Sequence, residues 1–334
     1  MTKPLRSDDA AARSGPRVRS LAILGLKAII SIAIVWFLIT KVDFETLSAR
    51  LGTNAALPLV FGIVLGLLTM VVTAVRWWRI HHRLRADIPF RFAIPATMEC
   101  YALNLALPGS VGGDIVRAAR ARQLCGRTRE AVMAVLLDRG GNLAAQMVLC
   151  IAALPFLHNS MASNNLEVAV LSVTLIGALG VAAVYLAPLL VGRSKLERIR
   201  LIRELIRVGL ILRRILHFPS AVCEIAVLSF GIQAIGVIIL WTAVLAIGLE
   251  TPPLFTLVVA MSFGMLGSAL PISFGGLGVR EGAVVWVFLE TGMAEDTAFM
   301  IAIVFGALIL SQTIPGLYIW AFGRMPPIIS STEN

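Results

Sequence analysis

Charge is what this chain has least of. Only 14% of its 334 residues are Asp, Glu, Lys or Arg, against 58% hydrophobic, and the mean hydropathy is +0.88. A soluble globular domain carries about 25% charged residues, so this composition argues for lipid as the solvent. Cysteine is sparse and scattered: Cys100, Cys125, Cys150 and Cys223 contain no C-x-x-C pair, which argues against a disulfide framework. The histidines at 81, 82, 158 and 217 show neither H-E-x-x-H nor zinc spacing, so no metal or other cofactor is expected. A G-x-x-x-x-G-K-[ST] loop is also missing, which leaves no nucleotide-driven motor in the chain. The formal net charge of +10 raises nucleic acid as a partner. No recognition module interrupts the apolar runs, however, and the basic residues are better assigned to topology and to the anionic leaflet.

What is present is a series of apolar runs. Six reach the length of about 20 residues that a helix needs to cross a bilayer: 21–40, 55–75, 131–155, 168–191, 221–248 and 297–322. Two more, 92–108 and 253–270, are shorter and end in Pro/Gly-rich sequence. Lys and Arg concentrate in 1–20, 76–91, 109–130 and 192–217 and at Arg324, 24 of the 29 in the chain. The intervening connections are acidic or neutral, with Asp43, Glu45, Glu250, Glu290, Glu295 and Asp296. The positive-inside rule then places the basic set and both termini in the cytoplasm. Segment 92–108 has basic sequence on both sides. It therefore either returns to the same face or crosses twice with short helices, and a cytoplasmic re-entrant hairpin over about 92–117 fits best. Acidic flanks make about 253–290 a second hairpin, entering from the outer face. The expected fold is an all-α integral membrane protein with six transmembrane helices and two oppositely oriented re-entrant hairpins, up to eight apolar segments.

The expected organisation is a basic cytoplasmic tail (1–20), one polytopic membrane domain (21–322) and a short cytoplasmic tail (323–334). Segment 21–40 exceeds a typical signal-peptide core and no small-residue cleavage site follows it, so it reads as an uncleaved anchor. Residues 193–217 interleave Leu and Ile with basic residues at helical spacing. This fits an amphipathic helix on the cytoplasmic surface or, equally, a charged linker.

The chain also repeats itself. At an offset of 163, A-L-P-G-S-V-G-G-D-I-V-R (106–117) aligns with A-L-P-I-S-F-G-G-L-G-V-R (269–280), and eight of twelve positions are identical. The shared frame falls at the tips of the two hairpins, whose orientations were assigned from charge alone. Together these observations point to an inverted internal repeat, the architecture in which transporters place their sites where paired broken helices meet. Pro108 and Pro271 remove backbone donors, and Gly112, Gly113, Gly275, Gly276 and Gly278 permit tight turns, so each unit should end one half-helix and start another. A helix starting near Gly113 or Gly276 offers free N–H groups and a positive dipole end to an anion. Ser110 and Ser273 sit in these turns. Arg117 and Arg280 follow within about a turn and suit bidentate phosphate binding. Each unit reads as a cradle for a phosphate-bearing group, one per leaflet; the competing reading is that Gly and Pro merely kink and pack helices.

Ionisable residues inside a bilayer cost at least about 2.5–3.5 kcal/mol each, so each one invites a role. Asp138 and Arg139 lie about two turns into the third long run, where they can pair with Arg117 or Asp114, contact a headgroup, or form a purely structural ion pair. Glu99 and Asn104 fall in the first hairpin, and Glu281 is placed to orient Arg280. Lys27 reads as a snorkelling residue and Glu224 as interfacial, while Gln233 and Gln312 read as inter-helix glue. The run Arg76-Trp77-Trp78-Arg79 reads as an interfacial aromatic belt.

Taken as a set, N-x-x-L-P-x-x-x-G-G-D-x-x-R (104–117), L-x-D-R (136–139) and L-P-x-S-x-G-G-L-G-x-R-E (270–281) resemble the flippase-like, lysylphosphatidylglycerol synthase transmembrane-domain family, over about residues 20–322. The resemblance implies movement of aminoacylated phosphatidylglycerol or another polar lipid between leaflets of a bacterial-type cytoplasmic (inner) membrane; some members are linked to hopanoid lipids or lipid-linked sugars. Aminoacylating members carry a soluble synthase domain after the membrane region, whereas this sequence ends at Asn334, so transferase activity is not expected.

The resulting expectation is a non-enzymatic translocator of a lipid with an anionic or phosphate-bearing headgroup. Its partners are membrane lipids, with a lipid-synthesis enzyme or a second copy of the chain as further candidates. Asp138 or Glu281 is a candidate carrier of a coupling proton. The rivals are a secondary transporter of a small soluble anion, a membrane-embedded enzyme or accessory of lipid or lipid-linked glycan synthesis with Asp138 as base, and a scaffold for a lipid-synthesis complex.

Overall fold

A computed structural model describes residues 29, 32–34, 36–106, 112–157, 164–190, 200–269, 273 and 275–322, and among these there is no strand. Twelve α-helices follow the helical turns at 32–34 and 36–40. They are α1 (Phe44–Arg50), α2 (Ala56–Arg83), α3 (Phe90–Ala106), α4 (Gly112–Cys125), α5 (Thr128–Leu157), α6 (Asn165–Leu190), α7 (Arg200–Leu216), α8 (Pro219–Ala246), α9 (Leu254–Ala269), α10 (Val279–Glu290), α11 (Glu295–Ser311) and α12 (Thr313–Phe322). Helices α2, α5, α6 and α8, and α11 with α12 taken together, are long and apolar enough to cross a membrane. They coincide with five of the six long apolar runs. The first run, 21–40, lies mostly outside the described residues, as do Lys27 and residues 193–199.

Inside lipid the backbone must satisfy its own hydrogen bonds, hence the helices. Close contacts between them fall on small residues. On α2, Leu57, Val60 and Val64 are exposed, while Gly62, Gly66, Thr69 and Thr73 are buried. A Cβ at Gly62 would stand 2.7 Å from Thr242 Oγ1, and one at Gly66 would stand 2.7 Å from Gln312 Cγ. At these two glycines the absence of a side chain lets the helices approach closely. Helix α8 packs along α2 in the opposite direction: Gly62 approaches Thr242, Arg76 Nη1 donates to Ser229 Oγ at 2.9 Å, and Arg83 Nη2 donates to Glu224 Oε2 at 2.9 Å.

The offset of 163 carries the α2 bounds onto those of α8, residue for residue. It also carries α3 onto α9 and α5 onto α11 with α12, to within a few residues. The four hairpin arms, α3, α4, α9 and α10, have 17, 14, 16 and 12 residues, all short of the roughly 20 that cross a bilayer. The arms of each hairpin fold back on one another. The Gly113 backbone lies so close to the Cys100 carbonyl that no Cβ fits, and a Cβ at Gly267 would stand 3.2 Å from the Val279 carbonyl.

Two stretches take a more definite form. The run 297–322 is not one unbroken helix: α11 ends at Ser311 and α12 begins at Thr313. Pro315 lacks the N–H that the Ser311 carbonyl would accept in a continuous helix, so the ladder opens there. The described part of 193–217 is the helix α7, the first of the two readings open for that stretch. It lies against α6, where Arg213 Nε donates to the Tyr185 carbonyl at 2.8 Å and its guanidinium sits 4.6 Å from the Tyr185 ring centroid.

Candidate functional site

The two hairpins meet. A Cβ at Gly275 would stand 2.9 Å from Leu105 Cα, so the tip of the second hairpin touches the end of α3. Below this junction lies a cavity of about 200 Å³ bounded by α2, α3, α4, α5, α8, α9 and the α11–α12 break. Asn104, Asp114, Arg117, Asp138, Arg139, Gly275 and Arg280 all line it. The two arginines of the repeat thus share a single cavity, in place of one cradle per leaflet. Gly112, Gly113, Ser273, Gly276, Gly278 and Glu281 are not among its lining residues and act from behind it. Pro108, Ser110 and Pro271 lie outside the described residues.

The acidic and basic groups from the first half form an alternating chain. Arg76 Nε donates to Asp138 Oδ1 at 2.8 Å, and Arg117 Nη2 donates to Asp138 Oδ2 at 2.8 Å and to Asp114 Oδ1 at 3.2 Å. Arg139 Nε closes the series on Asp114 Oδ2 at 2.7 Å. Three guanidiniums therefore share two carboxylates. Arg76, Arg117, Asp114 and Asp138 are 3% exposed or less, whereas the Arg139 side chain is 48% exposed. The Arg117 guanidinium also lies 4.8 Å from the Trp77 ring centroid, a distance at which the ring face attracts a cation.

In the second half the offset places Leu277 opposite Asp114 and Ile301 opposite Asp138. Arg280 consequently takes its partner from the adjacent residue: its Nε donates to Glu281 Oε1 at 2.9 Å, and Nη2 donates to the same oxygen. Glu281 Oε2 accepts from the Gly278 N–H at 2.7 Å, which caps the start of α10. Gly275, Gly276 and Gly278 have φ of 56°, 77° and 80°, a left-handed turn open to glycine at little cost. Ser273 is fully buried, and its hydroxyl has no partner among the described residues.

These contacts change the expected role of the helix starts. The Gly113 N–H is already bound by Asn104 Oδ1 at 2.9 Å, and the Gly278 N–H by Glu281. A side chain of the protein thus occupies one amide at each helix start, while the guanidiniums of Arg76, Arg117, Arg139 and Arg280 belong to the cavity-lining residues.

Arg76 is the residue that sequence reasoning misplaced. Arg76 is 3% exposed and Trp77 is fully buried, so the first half of the Arg-Trp-Trp-Arg run is core rather than interfacial belt. Arg76 Nη1 also reaches Asn142 Oδ1 at 3.3 Å. The signal was available, since Thr69, Thr73 and Arg76 stand four and three residues apart on one helical face, and all three line the cavity. Gln233 joins α8 to α5 through the Asn142 carbonyl at 3.2 Å, and it lines the cavity together with Gln312. Glu224 pairs with Arg79 at 2.8 Å and with Arg83. Glu99 is buried against Arg120 at 2.6 Å, away from the cavity lining.

Comparison with known proteins gives a match to the family described as lysylphosphatidylglycerol synthase TM region over residues 24–316. A UPF0104 membrane protein of Methanothermobacter thermautotrophicus is 36% identical over 77 residues, 23% of this chain and 22% of that relative's length.

Proposed function

The chain belongs to the lysylphosphatidylglycerol synthase transmembrane-region family, a membrane domain associated with lipid synthesis or transport, and from that premise we propose that it translocates a polar lipid with an anionic, phosphate-bearing headgroup between leaflets. The observation that carries this reading is the charge of the cavity. Arg76, Arg117, Arg139 and Arg280 face Asp114 and Asp138 there, and Glu281 pairs with Arg280 from behind. Four cations against three anions leave a surplus of one positive charge. None of the tip residues 107–111, 270–272 and 274 is ionisable, so the balance is unaffected by them. A phosphodiester carries one negative charge and matches the surplus; a zwitterionic headgroup, or one bearing an added lysine, does not.

Size supports the same class. At about 200 Å³ the cavity is smaller than the roughly 300–1,000 Å³ of drug-sized pockets. It suits a headgroup while the acyl chains remain in lipid. Two hairpins entering from opposite faces and touching at their tips provide the pair of barriers that alternating access needs. In this reading the basic loops and both termini face the cytoplasm.

The test is leaflet exchange of fluorescent phosphatidylglycerol, lysyl-phosphatidylglycerol and phosphatidylcholine in proteoliposomes, comparing wild type with Arg139→Gln. Arg139 is the half-exposed member of the chain, so its substitution leaves the buried pairs in place. Phosphatidylglycerol should exchange fastest and should slow by about tenfold or more in the variant, the value of one charge-assisted contact. Uptake of glycerol phosphate without lipid exchange would instead identify a soluble-anion transporter, and neither activity would refute both readings.

A further inference from the structure

A second cavity, of about 320 Å³, lies where α2 ends, α5 begins and α7 runs past. We propose that it binds the phosphate of an anionic phospholipid held as a fixed ligand, separate from any lipid that passes through the central cavity. The inference stands whether or not the chain moves lipids.

Four arginines line this cavity: Arg83 at the end of α2, Arg85 just after it, Arg129 in the first turn of α5, and Arg214 near the end of α7. Arg83 is spoken for by Glu224. Among the described residues no carboxylate pairs with Arg85, Arg129 or Arg214, and Glu130 is the one acid in the lining. Three arginines from three elements thus line the cavity with one carboxylate among them. Like charges brought together in a folded protein repel, and an anion relieves that repulsion.

The backbone agrees. Arg85 has φ of 55° and is the one non-glycine residue with positive φ among the described residues. This is the left-handed position that closes α2, with the Ala86 N–H donating to the His81 carbonyl at 3.1 Å, and it turns the chain so that Arg85 joins the cavity wall. The conformation is pinned from two sides: the Arg85 N–H donates to the His82 carbonyl at 3.0 Å, and its carbonyl accepts from Arg127 Nη1 at 2.9 Å.

A lipid is favoured over a free anion by the rest of the wall. Leu84, Leu210, Ile211 and Phe218 line the cavity beside the arginines, and Leu210 and Phe218 are more than half exposed. The cavity also sits at the ends of the membrane-crossing helices α2, α5 and α8, at the depth where headgroups meet acyl chains. An amphiphile satisfies both halves of the lining, and an inorganic ion only one.

The experiment is native mass spectrometry of the full chain in detergent, titrated with phosphatidylglycerol and with phosphatidylcholine of the same acyl composition. In the Arg139→Gln background, where the central cavity has no surplus charge, the chain should retain phosphatidylglycerol about tenfold more tightly, and adding Arg85→Gln with Arg129→Gln should abolish that preference. Arg91→Gln combined with Arg122→Gln removes the same charge from exposed sites outside the cavity and should leave the preference intact. The shared Arg139→Gln background separates this site from the central one. Arg214→Gln alone gives a second route should the double variant fold poorly. Equal retention of the two lipids in the Arg139→Gln background, or an unchanged preference in the cavity variants, overturns the proposal. Displacement of phosphatidylglycerol by millimolar inorganic phosphate overturns the lipid as occupant.

Discussion

Asp138 holds two guanidiniums at once, Arg76 at 2.8 Å and Arg117 at 2.8 Å, all three buried. Asp138→Ala should therefore leave buried Arg76 without a carboxylate and Arg117 with Asp114 alone, and cost about 3–5 kcal/mol of stability, visible as a large drop in thermal unfolding temperature in detergent. Arg139→Gln should leave that temperature almost unchanged while reducing transport, because its partner Asp114 keeps Arg117 and its own side chain is half-exposed. Divergence of the two readouts between these neighbouring residues separates a structural ion pair from a headgroup contact. Asp138, Arg139, Arg117 and Arg280 were legible in the sequence because an ionised group within or beside an apolar run is conspicuous. Arg76 was hidden by its setting, since two tryptophans and a following basic loop imitate an interfacial belt. Only the spacing of Thr69, Thr73 and Arg76 distinguishes a cavity face from a membrane rim.

The hairpins show how one sequence frame yields two local solutions. In the second unit Gly275 and Gly276 turn the chain through positive φ. In the first, Gly113 is helical and lets α4 approach the Cys100 carbonyl. The identical Gly-Gly pair made a chain reversal legible, but not which of the two demands each glycine meets, because that depends on the neighbouring arm. Gly113→Ala should cost about 1–3 kcal/mol through overpacking against backbone. Gly316→Ala should behave alike, since α12 lies against the Met98 carbonyl of α3. Gly231→Ala, with nothing within 4 Å of its Cβ, should be neutral or slightly stabilising, as expected for alanine in a helix. Thermal unfolding of the three variants side by side tests the ranking.

For the whole molecule, composition sufficed for the helical membrane class, and hydropathy located the long helices. The lengths of the hairpin arms and the break before Pro315 emerged only when each helix had neighbours. The self-alignment proved more informative than its twelve residues promised, because the same offset reproduces the bounds of α2 in α8, and these two helices run antiparallel. If the charge-based orientation is right, single cysteines replacing Arg127 and Glu250 should label from opposite sides of the membrane. Labelling of both from one side would refute it.

The odd guanidinium has an electrical consequence. An empty cavity with one uncompensated positive charge feels the transmembrane voltage, about 2.3 kcal/mol per charge for each 100 mV traversed, whereas a cavity holding a phosphodiester is neutral and does not. An inside-negative potential would then draw the vacant site toward the cytoplasmic leaflet and leave the occupied one indifferent. Phosphatidylglycerol exchange should become directional when a potassium diffusion potential is imposed on the proteoliposomes. The membrane's own voltage would bias the traffic without a nucleotide or an ion gradient entering the cycle.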